Sequence, residues 1–183
     1  MDEIANVGRF LSDNKMVWER RFSAPPERLW DALSTKDGLR RWFMPTRYEI
    51  EVNGRFSFDG GWEGTVSEAA PCRHIQFDVD GGSGAFLRFE MEAGNGACLF
   101  ALIDRMGDGV DANNWPAAPA HRRHQPGGPG THWSGVAAGY HGFVDALEEH
   151  LSGGGVSSDY DELCKAYQRV LDARFGREHY IKY

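Results

Sequence analysis

The sequence predicts an α+β domain in which a curved antiparallel β-sheet wraps around a long C-terminal helix. Residues 47–106 contain six runs in which apolar residues recur at every second position, the period of a β-strand. Only short turn sequences such as Asn53-Gly54 separate these runs, which leaves no room for the crossover helices of a parallel sheet. Residues 134–151 then change to the apolar spacing of one helix face.

Shorter elements are predicted on both sides of this core. Residues 17–22 have the pattern of a strand, and proline at the first turn favours a helix over residues 26–34. Thr35 can cap a second short helix that runs to Arg41. After a glycine break, Ser158 or Asp159 can cap a final helix that Gly176 ends. The expected organisation is a lead over residues 1–15, a main domain over residues 16–152, and an accessory helix and tail over residues 153–183.

The last of the six strands is apolar on both faces. We assign Leu99, Ala101 and Ile103 to the interior, which leaves alternate residues such as Phe100 and Leu102 on the outer face. An exposed apolar strip of this kind usually marks an interface. We therefore expect the C-terminal helix to cover the outer face, either within one chain or across a homodimer.

Composition excludes several classes of function. The 183 residues carry a net charge of −7 and no long basic stretch, so nucleic acid is not an expected partner. No apolar run approaches the ~20 residues of a membrane span, and the N-terminus lacks the pattern of a signal peptide. Three cysteines without metal-binding spacing indicate buried thiols in a reducing compartment, so we expect a cytoplasmic protein.

Several local motifs resemble a known family. They are VWERRFSAPPERLWDAL over residues 17–33, Trp42 shortly before Pro45, VNGRF over residues 52–56, GTVSEAAP over residues 64–71, and the helix that follows Gly139-Tyr140. Residues 16–151 in this way resemble the activator of Hsp90 ATPase homologue-like domains of the SRPBCC, or START-like, superfamily, to which the birch pollen allergen is related. The resemblance implies a helix-grip fold with a cavity. It implies no reaction, because the superfamily includes lipid carriers, polyketide cyclases and chaperone regulators.

The candidate ligand site consists of apolar residues that point between the sheet and the long helix. By periodicity they are Trp30, Phe56, Phe58, Trp62, Phe77, Phe89, Tyr140, Phe143 and Leu147. The same set could form a filled core, since protein interiors are normally close-packed. Gly135, Gly139 and Gly142 favour a cavity, because each glycine in a helix costs ~1 kcal/mol relative to alanine, a cost that a close approach or room for a ligand would explain.

Histidines and carboxylates give no catalytic or metal-binding pattern. His121, His124, His132 and His141 lie in one window, but no pair has a recognised zinc spacing, and we expect neither a metal nor a cofactor. His141 and Asp145 are one helical turn apart, a spacing common on exposed faces. Glu68 has the parity of an inward residue, although a bulge near the strand end could release it to solvent.

The sequence therefore predicts a module that binds a small hydrophobic molecule such as a lipid or polyketide, with no catalytic residue assigned. Two alternatives stay open. In a polyketide cyclase or aromatase, Glu68, Arg88 or Tyr140 would polarise the ligand, and several polar groups should face the cavity. In a chaperone-regulating interaction module, the functional surface would lie outside the cavity.

Overall fold

The computed structural model of the chain describes residues 6–59, 61–81, 84–94, 96–108, 132–154 and 158–175, without the side chains of residues 132, 133 and 175. Its strands are β1 (Arg9–Ser12), β2 (Lys15–Phe22), β3 (Arg55–Phe58), β4 (Trp62–Ala70), β5 (His74–Val79), β6 (Phe86–Gly94) and β7 (Ala97–Arg105). Its helices are α1 (Pro26–Ser34), α2 (Lys36–Trp42), α3 (His132–Ser152) and α4 (Tyr160–Phe175).

The strands form one antiparallel sheet in the order β1-β2-β7-β6-β5-β4-β3. The long helix α3 packs against β2, α2 and α4, so the core lies between the helices and the inner face of the sheet. This architecture confirms the predicted α+β helix-grip fold. In the part of the chain that the structure describes, no helix is both long and apolar enough to span a membrane.

The two short helices follow the sequence signals closely. Helix α1 spans the predicted residues and buries Leu29, Ala32 and Leu33. The Thr35 hydroxyl accepts a hydrogen bond of 2.9 Å from the Gly38 amide, which is the expected cap of α2. At the end of α2, Trp42 Nε1 donates to the carbonyl of Ala32 at 2.8 Å. This bond fixes the end of α2 against the core.

Two strand predictions need correction at the edges of the sheet. Residues 48–52 are not a strand, because only an isolated bridge between Thr46 and Phe58 joins this segment to β3. Tyr48 and Val52 are almost half exposed, so pairing this segment would bury little apolar surface. The seventh strand is instead β1, which lies in the segment predicted as a lead and pairs with β2.

The predicted orientation of β7 is wrong. Trp18 pairs with Leu102, and cross-strand partners share one face of a sheet, so Cys98, Phe100 and Leu102 face inward and are fully buried. Leu99 is on the outer face and 40% exposed. The error has a simple cause, since residues 97–103 are all apolar and their alternation carries no phase information.

The predicted location of the last helix is also wrong. Helix α4 packs beside α3 on the inner side of the sheet and does not cover the outer face of β7. Its side chains Leu163, Cys164, Tyr167 and Leu171 are buried in the main core. The hydroxyl of Tyr167 binds the backbone amide of Gly8 just before β1. The helix is therefore integrated into the same core as the sheet.

Candidate functional site

The nine predicted ligand-site residues differ in burial. Phe56, Phe58, Phe77, Phe89, Tyr140 and Leu147 are buried, whereas Trp30, Trp62 and Phe143 are half-buried. Eight of the nine line the space between the sheet and α3, with α2 closing one side. Trp30 lies on α1 and packs against the edge of the core, but among the described residues its ring forms no aromatic pair with the other rings of the set.

Four of these residues form a packed aromatic cluster on β3, β5 and β6. The ring centroids of Phe56 and Phe58 are 4.9 Å apart, and Phe77 lies 5.3 Å from Phe56 and 5.6 Å from Phe89. Phe43, at the end of α2, adds contacts of 5.3 Å to Phe58 and 5.5 Å to Phe89. These distances are those of directly contacting aromatic rings. This half of the interior is filled with protein side chains.

A partly exposed group of aromatic rings lies beside this cluster. Its Phe143 ring contacts Phe43, with centroids 4.6 Å apart. Trp62, the first residue of β4, meets Tyr140 of α3 with ring centroids 6.1 Å apart, and Phe143 lies 6.3 Å from Tyr140. Trp62 and Phe143 retain partial solvent exposure. We call these three residues, Trp62, Tyr140 and Phe143, the aromatic opening.

A glycine on α3 leaves space beside the aromatic opening. Gly139 and Phe143 are four residues apart and therefore share one helix face. Among the described residues, a Cβ atom built on the half-buried Gly139 would meet no heavy atom within 4 Å outside the helix's own backbone. In this part of the chain Gly139 is therefore not required for a close contact, and open space lies one helical turn from the half-buried Phe143 ring.

Polar side chains inside the fold are more numerous than the sequence analysis indicated. The guanidinium of Arg20 on β2 points inward and binds Asp145 at 3.0 Å and Glu148 at 2.5 Å, both on α3. Asp145 was expected on the exposed side of α3, but it is buried. The sequence does contain a signal for this pair. Arg20 is two residues from both Trp18 and Phe22, so it lies on the same face of the strand as these apolar residues.

A second buried polar group lies next to this ion pair. His141 is only 1% exposed, and its Nδ1 is 3.0 Å from the hydroxyl of Tyr167 on α4. The same hydroxyl accepts hydrogen bonds from Trp18 Nε1 at 2.7 Å and from the Gly8 amide at 2.8 Å. Burial lowers the pKa of His141 and raises the pKa of Tyr167, because both charged forms lose hydration. The expectation that His141 and Asp145 form an ordinary exposed pair was wrong.

The reversed orientation of β7 brings one more carboxylate inside. Asp104 faces the interior opposite Met16 and is 3% exposed. It lies near the end of β7, at the same end of the sheet as Trp62 at the start of β4. The end of the fold that carries the aromatic opening is therefore also the end with a buried acid.

Two residues considered for cyclase chemistry lie on the outer face of the sheet. A bulge between Val66 and Glu68 turns the Glu68 side chain outward, as anticipated, where it binds Arg88 at 2.7 Å and His74 at 3.2 Å. The hydrogen bond and charge of Arg88 lower the pKa of Glu68. Of the three suggested polarising groups, only Tyr140 is inside the fold.

Among the described residues, no group of three or more His, Cys, Asp or Glu side chains is arranged to hold a metal ion. His121 and His124, and the side chain of His132, lie outside the described part of the chain. His141 is committed to Tyr167 and Asp145.

A separate pocket lies at the opposite end of the sheet. It has a volume of about 540 Å³ and is lined by residues 23–26 after β2 and by residues 93, 94, 96 and 97 between β6 and β7. Its walls consist of small residues and prolines without charged groups. Ser23 is the one polar side chain among these lining residues, and we do not assign the pocket a function.

Comparison with known proteins agrees with the fold and the motifs. Residues 23–103 match the family model described as activator of Hsp90 ATPase homolog 1-like protein. This match supports an AHSA1-like domain of the SRPBCC type in the chain. The matched segment runs from the residue after β2 to β7 and includes Trp62, whereas α3 and α4 follow it. The search of curated proteins found no match.

Solved structures share the fold at low sequence identity. The conserved protein of unknown function EF2215 from Enterococcus faecalis is 16% identical with a TM-score of 0.64, and the match covers 92% of this chain and 91% of that one. CalU16 from Micromonospora echinospora is 16% identical with a TM-score of 0.59, covering 87% and 84%. The Aha1 dimer from Colwellia psychrerythraea is 19% identical with a TM-score of 0.54, covering 77% and 98%.

Proposed function

We propose that this AHSA1-like protein binds a small apolar or aromatic molecule at the aromatic opening formed by Trp62, Tyr140 and Phe143. The observation that supports this most is the open space that the described residues leave at Gly139, one helical turn from the half-buried Phe143 ring. Binding sites for small molecules are typically apolar hollows with a few polar groups at the rim. The buried cluster around Phe77 would form the floor of such a site.

The chemistry of the rings favours a flat or aromatic ligand. Trp62 and Tyr140 meet at an interplanar angle of 69°, so each ring presents a face or an edge toward a molecule placed between them. Aromatic pairs in edge-to-face geometry contribute ~0.5–1.5 kcal/mol beyond the apolar area that they bury. A ligand seated here would also remove the remaining exposed surface of Trp62 and Phe143 from water, at ~25 cal/mol per Å².

We propose binding without an obligatory reaction. Two of the three groups considered for cyclase chemistry support this, since Glu68 and Arg88 are engaged with each other on the outer face. The buried groups Arg20 and Asp145 are likewise paired. Within the described residues, these ion pairs hold strands and helices together and leave the apolar rings as the ligand-facing surface.

We also propose that the protein works in a reducing compartment such as the cytoplasm. All three cysteines are free, and Cys98 and Cys164 are buried. Burial raises the pKa of both thiols, which keeps them in the unreactive protonated form.

Titration with the neutral fluorescent dye N-phenyl-naphthylamine tests the proposed function. The wild type should enhance dye fluorescence with a saturating isotherm, and Trp62→Ala should weaken that binding about tenfold or more through the loss of one ring contact. Trp30→Ala is the matched control, because it removes another half-buried indole that is outside the opening. Equal losses in the two variants, or no saturable binding by the wild type, would reject the site.

A further inference from the structure

One hydrogen bond and two ring contacts connect α4 to the aromatic opening. The Tyr167 hydroxyl holds the indole of Trp18 at 2.7 Å. The Trp18 ring in turn contacts the Tyr140 ring, with centroids 4.9 Å apart. Tyr140 then faces Trp62 across the opening. Tyr167 is thus two contacts away from Tyr140 of the aromatic opening, although it lies on a helix outside the matched family segment.

The hydrogen-bond geometry assigns the positions of the Tyr167 hydroxyl proton and of the His141 ring proton. The Gly8 amide and the Trp18 indole can only donate, so they occupy both lone pairs of the Tyr167 oxygen. The hydroxyl proton must therefore point to His141 Nδ1, which accepts it. The imidazole then carries its own proton on Nε2, which faces Asp145 at 3.5 Å.

We propose that Tyr167 is a positioning residue for the aromatic opening, and that protonation of His141 releases it. The inference rests on the proposed ligand site at Trp62, Tyr140 and Phe143. A protonated imidazole has an N–H at Nδ1 and no longer accepts the hydroxyl proton. The Tyr167 oxygen has no lone pair left for a third donor, so protonation forces the hydroxyl away from Trp18, from Gly8 or from His141.

Some of the charged groups around His141 favour protonation of its imidazole, and others oppose it. Arg20 on β2 opposes a positive imidazole, whereas Asp145 on α3 favours it, and Glu148 acts mainly through its ion pair with Arg20. On α4, Tyr167 faces the imidazole, and Cys164 is buried one turn earlier on the same helix face. Burial is the largest influence and lowers the pKa of His141 below its ordinary value of 6.5.

The sign of the pH effect follows from that direction. Because the pKa of His141 is lower in the folded protein than in the unfolded chain, the unfolded chain takes up the proton first as the pH falls. The neutral, docked arrangement is fully favoured above pH 6.5, and the advantage is lost as the pH falls below 6.5 through the lowered pKa. The opening should loosen over the same range.

A pH titration by NMR tests the inference without any ligand. The imidazole resonances of His141 and the indole N–H resonance of Trp18 should move with one shared midpoint below pH 6.5. The dye affinity of the wild type should fall with the same midpoint. If His141 titrates while the Trp18 indole and the dye affinity stay constant, the coupling is overturned.

Three variants separate positioning from general stability. His141→Asn keeps an acceptor near the position of Nδ1 but does not titrate, so it should retain dye binding and lose the pH step. Tyr167→Phe keeps the buried ring, and we expect its dye affinity to fall about tenfold, the loss typical of one hydrogen bond. Tyr160→Phe is the control, because it removes an α4 hydroxyl bound to the Gly135 carbonyl. It should keep both the wild-type dye affinity and the pH step.

The outcomes distinguish this inference from the proposed function. If the Trp18 indole follows His141 but the wild type binds no dye at any pH, the hydrogen-bond chain stands and the proposed ligand site fails. If the dye binds but His141→Asn keeps the full pH step, the site stands and the role of His141 is overturned. Should Tyr167→Phe fail to fold, the comparison of wild type with His141→Asn still decides the case.

Discussion

Arg20 on β2 and Asp145 on α3 form a buried ion pair, with Nη2 and Oδ1 3.0 Å apart. It joins a central strand of the sheet to the long helix. Glu148, one turn further along α3, binds the other terminal nitrogen of Arg20, but its side chain is far more exposed. The two carboxylates therefore offer a direct comparison of a buried and an exposed partner of one guanidinium.

Removing Arg20 should be strongly destabilising. Arg20→Met leaves the Asp145 carboxylate buried without its partner, which typically costs ~3–5 kcal/mol of unfolding free energy. Glu148→Gln, the control, should cost less than ~1 kcal/mol because the site is partly hydrated. Urea denaturation measures both changes. A cost for Arg20→Met as small as that of Glu148→Gln would contradict a structural role for the buried pair.

The aromatic cluster should behave as a filled core. Phe77 is fully buried and contacts three other phenylalanine rings, so Phe77→Ala should cost ~3–5 kcal/mol. Tyr48→Ala, at a nearly half-exposed site outside the sheet, should change stability by less than ~0.5 kcal/mol. If Phe77→Ala proves mild in thermal and urea unfolding, the cluster borders a void and the ligand site extends deeper than we propose.

Two helix glycines give a sharper test of the free space. Gly139→Ala and Gly142→Ala should each stabilise α3 by ~0.5–1 kcal/mol, since neither added Cβ meets a heavy atom within 4 Å. Only Gly139 is half-buried beside the opening, so only Gly139→Ala should also weaken dye binding. Dye binding that survives unchanged in Gly139→Ala would show that this space is not part of the site.

Helix α4 should be essential for the fold. A chain ending after Gly153 loses the buried side chains of Leu163, Tyr167 and Leu171 and exposes the helix face against which they pack. We expect aggregation or a changed oligomeric state in light scattering, whereas a chain ending after Phe175 should behave as the full protein does. A soluble monomer ending after Gly153, with unaltered melting temperature, would contradict this account of α4.

The sequence was sufficient for the fold because local signals agreed with one another. Prolines 25 and 26 and the Thr35 cap mark the two short helices, and clear alternation on β5 and β6 orients Phe77 and Phe89 inward. Where the local pattern is ambiguous, the prediction failed. On β7 every residue of a continuous run is apolar, so the sequence does not indicate which face of the strand is buried. Only pairing with β2 decides this.

The candidate site was predicted less completely, for a physical reason. The apolar rings of the opening follow from periodicity, but buried polar residues look like surface residues in a sequence. Asp145 and His141 have the spacing of an exposed helix pair, and only the tertiary contact with Arg20 and Tyr167 explains their burial. These partners are more than twenty residues away along the chain in each case.

The most direct test of the central claim is an NMR titration of the tryptophan indole N–H resonances with N-phenyl-naphthylamine. The account predicts a large, saturable shift for Trp62 at the opening and a smaller one for Trp18 behind Tyr140. The indole of Trp42, which donates to the Ala32 carbonyl inside the core, should not move. No saturable shift of Trp62, or a shift of Trp42 as large as that of Trp62, would contradict a ligand site at the aromatic opening.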